Sequence, residues 1–297
     1  MRSSRRMMDG EERLGEVVGG RYELRGVLGQ GGQSVIYRAK DRVDGDEVAV
    51  KILKAGDRDA VDRLFREARA LLSLGGTAAL RVLHQTSTSD GAACLVTELL
   101  RGRDLDEHLR EIEGEGGRMP LPEVIAMFEP IVKTLDAACE RGIVHRDVKP
   151  ANIFVVHPAY GGGVRLLDFG FTRFVHARPM TAPGIVAGSP THLAPEAWAG
   201  ASDIDHRADV YALGVVLFRV LSGQLPFSGR VNELIQMVRT APRPSLHALR
   251  PDLPKVVDAW VECALAIKRE DRFQRASALW SALLTCLERA SARPPAG

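Results

Sequence analysis

Between Arg21 and Leu53, apolar and polar residues alternate in short runs, YELRGVLG, SVIYRAKD and DEVAVKIL, each broken by glycine or aspartate. A period of two with such breaks predicts three antiparallel strands. The period then changes: across Asp59 to Leu74 the residues Val61, Leu64, Phe65, Ala68, Leu71 and Leu72 fall at helical spacing, and the run stops at Gly75-Gly76. That is the pattern of a helix with one apolar face. Two more strands are expected around Ala79–Gln85 and Ala93–Thr97, closing a unit of five strands and one helix near residue 100. Beyond it helical patterns prevail, at Asp104–Glu111, Pro122–Arg141, His206–Ser222, Asn232–Thr240, Lys255–Ile267 and Ala276–Ala290. They are interrupted by a short strand pair, IFVV and VRLLDF, and by a turn-rich stretch from Phe171 to Pro195. Irregular segments of that length inside a compact domain usually carry function. The predicted class is α+β: a small five-stranded antiparallel sheet with one helix, then a larger, mostly helical lobe. Residues 1–20 read as a flexible N-terminal tail, 21–100 and 101–290 as the two lobes, and 291–297 as a C-terminal tail.

Composition narrows the function classes without choosing one. With 297 residues, 45% hydrophobic and 26% charged, the chain is an ordinary globular one. A net charge of +2 gives no duplex-binding surface, and the local basic group Arg101, Arg103 and Arg110 does not change the expectation of no nucleic-acid partner. Cys94, Cys139, Cys263 and Cys286 are scattered, with no CxxC and no nearby histidine pair, so neither a zinc site nor a redox pair is predicted. Free thiols in a reducing compartment fit a cytoplasmic chain. No apolar run approaches the roughly 20 residues of a membrane helix, and the basic start MRSSRRMM lacks the apolar block of a secretory signal.

The chemistry begins at LGQGGQSV, Leu28 to Val35, where glycines sit between two predicted strands. Glycine there either makes a plain hairpin turn or lets backbone N–H groups approach phosphates without a Cβ in the way. A dinucleotide fingerprint would be followed by a helix, whereas a β-rich run follows here, which argues against that fold. Sixteen residues past Val35, Val48-Ala49-Val50-Lys51 places a lysine in an apolar strand. It is either a snorkelling edge residue or an inward cation needing a counter-charge, for which Glu67 on the predicted helix is the candidate.

The stretch HRDVKPAN, His145 to Asn152, crowds five kinds of polar side chain between apolar flanks, and Asp168-Phe169-Gly170 follows sixteen residues later. These two motifs resemble the catalytic loop and magnesium loop of eukaryotic-like (Hanks-type) serine/threonine protein kinases, here of bacterial type. The order of motifs over residues 21 to 290 is similar to that family's, through to Ala194-Pro195-Glu196. The resemblance implies the two-lobed protein kinase fold and transfer of the ATP γ-phosphate to serine or threonine hydroxyls of proteins. By it, Asp147 accepts or orients the hydroxyl proton, and Lys149 neutralises the moving phosphate. Asn152 and Asp168 hold Mg²⁺, with Mn²⁺ as an alternative. Lys51, held by Glu67, binds the α/β-phosphates, which the backbone of Gly29, Gly31 and Gly32 covers. Leu28, Val35 and Ala49 enclose the adenine, Glu98 and Leu100 offer it backbone hydrogen bonds, and Thr97 stands at the gatekeeper position.

Departures from the pattern bear on subtype. Ser34 replaces the third glycine of the loop, a variation similar to bacterial members. Ala151 stands where basic-directed kinases carry glutamate, so no arginine preference near the phosphosite is implied. Arg146 implies switching by phosphorylation of the segment after Gly170, with Thr181 favoured over Thr172, and Ser189 implied as a substrate-binding residue. Asp209 is expected to anchor the loop's backbone, Arg272 to pair with Glu196, and His145 to pack beneath Phe169. The resemblance leaves homodimerisation open. Two rival functions remain, a catalytically weak pseudokinase scaffold that binds nucleotide, and a small-molecule phosphotransferase.

Overall fold

The structure, a computed structural model, describes residues 11–54, 58–169 and 190–291. It divides into two compact units, Met1–Gly75 with Leu80–Arg101, and Gly76–Ala79 with Gly102–Gly297.

The first unit is built on an antiparallel sheet of six strands: β1 (Val17–Val18), β2 (Tyr22–Gln30), β3 (Ser34–Asp41), β4 (Glu47–Leu53), β5 (Val82–Ser87) and β6 (Ala93–Glu98), in the order β1-β2-β3-β4-β6-β5. Strand alternation decides what faces inward. On β3, Val35, Tyr37 and Ala39 are buried between exposed neighbours, and on β4 Val48, Val50 and Ile52 join them in one core cluster with Leu24, Cys94 and Val96. Helix α1 (Arg58–Ser73) lies against β5 and β6, burying Ala60, Leu64, Ala68 and Leu71 at spacings of four and three. β6 is therefore buried on both faces, from Ala93 to Thr97. The five-stranded sheet expected from the sequence gains β1, inside the stretch read as a flexible tail. Residues 11–20 instead carry a 3-10 turn (Glu11–Arg13) and this strand, because Val18 is fully buried and pairs with Tyr22.

The second unit has a three-stranded sheet, β7 (Gly102–Asp104), β8 (Ile153–Val156) and β9 (Val164–Leu166), and eight α-helices among the described residues. These are α2 (Leu105–Gly114), α3 (Leu121–Glu140), α4 (Pro195–Trp198), α5 (Arg207–Ser222), α6 (Val231–Thr240), α7 (Leu246–Leu249), α8 (Val257–Ala264) and α9 (Ala276–Ser291). α5 is the central element. It is buried along nearly its whole length, consistent with a sequence apolar on every face, and it ends on Gly223, whose φ of 76° suits glycine. Arg219, the cation of that apolar run, does not reach solvent alone: it pairs with Asp106 at 2.5 Å and Glu113 at 2.9 Å on α2. The expected helix Lys255–Ile267 is shorter, Val257–Ala264, and two arginines explain its end. Arg243 donates to the carbonyl of Leu265, and Arg272 to those of Ala266 and Ile267, which replaces the helical bonds past the last turn. No helix among the described residues is long and apolar enough to cross a membrane.

Candidate active site

In the first unit, the alternation that sends Val50 and Ile52 into the core turns Ala49 and Lys51 to the other face, opposite Thr97 and Leu95 on β6. α1 packs on the sheet there, and Glu67, at the edge of its buried stripe, meets the lysine: Lys51 Nζ lies 3.0 Å from both Glu67 carboxylate oxygens. With side-chain exposures of 22% and 15%, the pair is sheltered rather than a solvated surface bridge. The glycine turn joins β2 to β3, closed by Gly31 N–H donating to the carbonyl of Ser34 at 2.8 Å. A Cβ added at Gly29 or Gly32 would meet nothing within 4 Å, and neither has a positive φ. The fold therefore does not need glycine at these two positions, and the missing Cβ leaves the backbone there open to close approach. Leu28 is half exposed, Val35 is buried, and Thr97 is buried with its hydroxyl donating to the carbonyl of Glu98. The N–H of Glu98 is already spent on Arg81, and Leu100 is half-buried.

In the second unit, the loop His145–Asn152 is fixed from below. Asp209 on α5 is buried and accepts the backbone N–H groups of His145 at 2.8 Å and Arg146 at 2.7 Å. Burial lifts its carboxyl to about 7, against the downward pull of those two donors. Arg146 has a φ of 64° and Asp168 one of 47°, the two positive values outside glycine among the described residues, and both fall on the motifs. Strained backbone of this kind persists where its surroundings over-determine it. His145 is fully buried and packs on Phe169, ring centres 4.6 Å apart, as the sequence suggests. Its Nδ1 accepts the N–H of Asp147 and its Nε2 donates to the carbonyl of Leu167, a pair of contacts that selects one neutral tautomer. Burial lowers its pKa accordingly.

Above this base, Asp147 Oδ2 is held by Lys149 Nζ at 2.8 Å and Asn152 Nδ2 at 2.9 Å. Asn152 Nδ2 also donates to the carbonyl of Asp147 at 2.7 Å. Both partners are acceptors, so the amide orientation is settled and Oδ1 is left as a hard oxygen donor. With the exposed carboxylate of Asp168, that supplies two oxygen ligands of the kind Mg²⁺ takes when phosphates and water complete its shell. Among the described residues no cluster of three or more His, Cys, Asp or Glu could hold a metal by itself. Arg272, fully buried, grips Glu196 through two bonds of 2.7 and 2.6 Å. Gly170, Thr172, Thr181, Gly188 and Ser189 lie outside the described residues.

His192 was missed by the motif reading. It ends a 3-10 turn (Pro190–His192), is nine-tenths buried with a pKa lowered to about 4 by desolvation first, and lines a small cavity with Arg146 and Asp147. A histidine two residues before Ala194-Pro195-Glu196 was the available signal.

A family model described as protein kinase domain matches residues 22–283. A serine/threonine-protein kinase, pkn2 of Myxococcus xanthus, is 36% identical over 81% of this chain and 29% of its own length. Serine/threonine-protein kinase PknA of Mycobacterium tuberculosis is 34% identical over 95% of this chain and 64% of its own. The crystal structure of the M. tuberculosis PknI kinase domain covers 92% of this chain and 98% of that one, with a TM-score of 0.69 and 27% identity, in agreement with the fold class expected from the sequence. The chain spans less than two thirds of the length of these curated relatives.

Proposed function

The chain belongs to the protein kinase family, and from that premise we propose that it transfers the γ-phosphate of ATP to serine or threonine hydroxyls of proteins. The observation that carries this reading is Asp147, clamped on one oxygen by Lys149 and Asn152 yet 30% exposed. The clamp leaves Oδ1 to orient a substrate hydroxyl and take up its proton, while Lys149 stands beside it to neutralise the incoming phosphate. Lys51, kept charged and in place by Glu67, would bind the α/β-phosphates, and the backbone at Gly29, Gly31 and Gly32 would lie over them. Leu28, Val35 and Ala49 would enclose the adenine, beside Thr97 and the carbonyls of Glu98 and Leu100. Asn152 and Asp168 would hold Mg²⁺, which when bound offsets charge on the phosphate oxygens. Lys149, two places after Asp147, resembles serine/threonine rather than tyrosine kinases, and the curated relatives carry the former name.

The scaffold reading is not favoured, since Lys51, Asp147 and Asp168 are all present. Autophosphorylation in the segment after Gly170, at Thr181 by position, completes the proposal. Lys51→Met is the test. Labelled phosphate transfer should fall at least about a hundredfold while the melting curve keeps its cooperativity; undiminished transfer would overturn the assignment.

A further inference from the structure

A cavity of about 20 Å³ lies between the loop that carries Asp147 and the turn that leads into α4. Small side chains leave the space: Ala194 and Ala197 line it from the turn and α4, and Ala208 and Ala212, four residues apart on α5, line it from another side. Apolar walls alone would keep such a space dry. Arg146 and His192 complete the lining, and each brings a buried nitrogen. Arg146 Nε and His192 Nε2 have no hydrogen-bond partner among the described residues. Buried polar atoms lose free energy when nothing answers them, and folded proteins leave few in that state.

The chemistry of the two nitrogens limits what can join them. Guanidinium Nε only donates. On the imidazole, Nδ1 lies 3.0 Å from the Thr191 hydroxyl, which can give or take the proton there, so Nε2 accepts in one tautomer and donates in the other. Burial first, then the charges of Arg219 and Lys149, keeps the ring neutral. A common partner must therefore accept from Arg146 and serve Nε2 in either tautomer, which water does with its two lone pairs and two hydrogens. Size agrees: the space exceeds the roughly 10–15 Å³ that one water needs and is too small for a phosphate. Asp147, on the same lining, would also repel an anion. We propose that this cavity holds one ordered water, which accepts from Arg146 Nε and bridges to His192 Nε2. Through it His192 becomes a positioning residue, fixing the side chain of Arg146, whose φ of 64° and Asp209-bound N–H set the backbone just before Asp147. That effect on catalysis rests on the phosphoryl transfer proposed above; the water itself does not.

A high-resolution crystal structure of the whole chain tests the bridge without any activity. It should show a density peak in the cavity at about 2.7–3.2 Å from both nitrogens; a dry cavity, or a peak that reaches only one of them, would overturn the proposal. His192→Tyr extends the ring by a hydroxyl toward the place of the water, so the peak should vanish and Arg146 Nε should donate to that oxygen instead. His192→Phe keeps a ring and supplies no such atom. In phosphate transfer, His192→Phe should lower kcat about tenfold with KM for ATP unchanged, and His192→Tyr should recover most of that loss. A His192→Phe enzyme as fast as wild type, or a His192→Tyr enzyme as slow as His192→Phe, would overturn the positioning role. A wild type without transfer would strike the kinase reading, and the density peak would still decide the water.

Discussion

His192 and Asp209 are buried titratable groups beside the same loop, and they push stability in opposite directions with pH. His192 is held near 4, against 6.5 in an unfolded chain. Between those values the unfolded state binds more protons, so the protein loses stability as pH falls, by up to about 3 kcal/mol from this residue alone. Asp209, lifted from 3.8 to about 7, behaves oppositely: in that window the folded state holds the extra proton, and the contribution is lost as pH rises through 7. His192→Phe isolates the first effect. In urea titrations at pH 7 and pH 4.5, the wild type should lose more stability on acidification than the variant; equal losses would contradict a buried neutral imidazole. Arg272 is a second residue-scale case. Its guanidinium, with no exposed surface, serves Glu196 and three backbone carbonyls, so Arg272→Ala leaves a sheltered carboxylate unpaired. We expect a loss of about 3–5 kcal/mol in chemical denaturation, and a change below 1 kcal/mol would count against this view.

At the scale of elements, β7 depends on one glycine. Gly102 has a φ of 152°, and a Cβ built there would overlap the carbonyl oxygen of Val155 on β8. Gly102→Ala should open the β7–β8 edge, seen as faster amide exchange at Arg103 and Val155 than in wild type; unchanged protection would show that the strand can shift without cost. This strand is also too short to leave a pattern in the sequence. Long periodic elements were legible: α1, α3 and α5 begin and end within a residue or two of the expected bounds. β1 and β7, two and three residues long, are too short to show a period, and their existence rests on pairing with β2 and β8. α4 and α7, four residues each, escaped for the same reason. α8 was overestimated because apolar spacing continues past Ala264, while the backbone is turned away by Arg243 and Arg272, which lie outside that window. The motif residues were legible because charge density in a loop has few structural explanations. The positive φ of Arg146 and Asp168 and the burial of His192 were not, since each depends on partners distant in sequence.

At the scale of the whole molecule, the chemistry is divided. The first unit carries the lysine–glutamate pair and the glycine turn; the second carries the acidic and amide oxygens and the clamped Asp147. Neither set alone accounts for the proposed phosphoryl transfer, and nothing in the composition or the net charge of +2 announces it. Transfer should also stop when EDTA removes divalent cations and return with Mg²⁺, if Asn152 and Asp168 hold the metal as proposed; transfer undiminished in EDTA would count against that reading. The role of Asp147 in transfer is tested by incorporation of labelled phosphate from ATP into casein, by wild type and Asp147→Asn side by side in Mg²⁺. Label is expected on serine or threonine with the wild type, and about a thousandfold less with the variant. A wild type that transfers nothing, or a variant as active as the wild type, would contradict it.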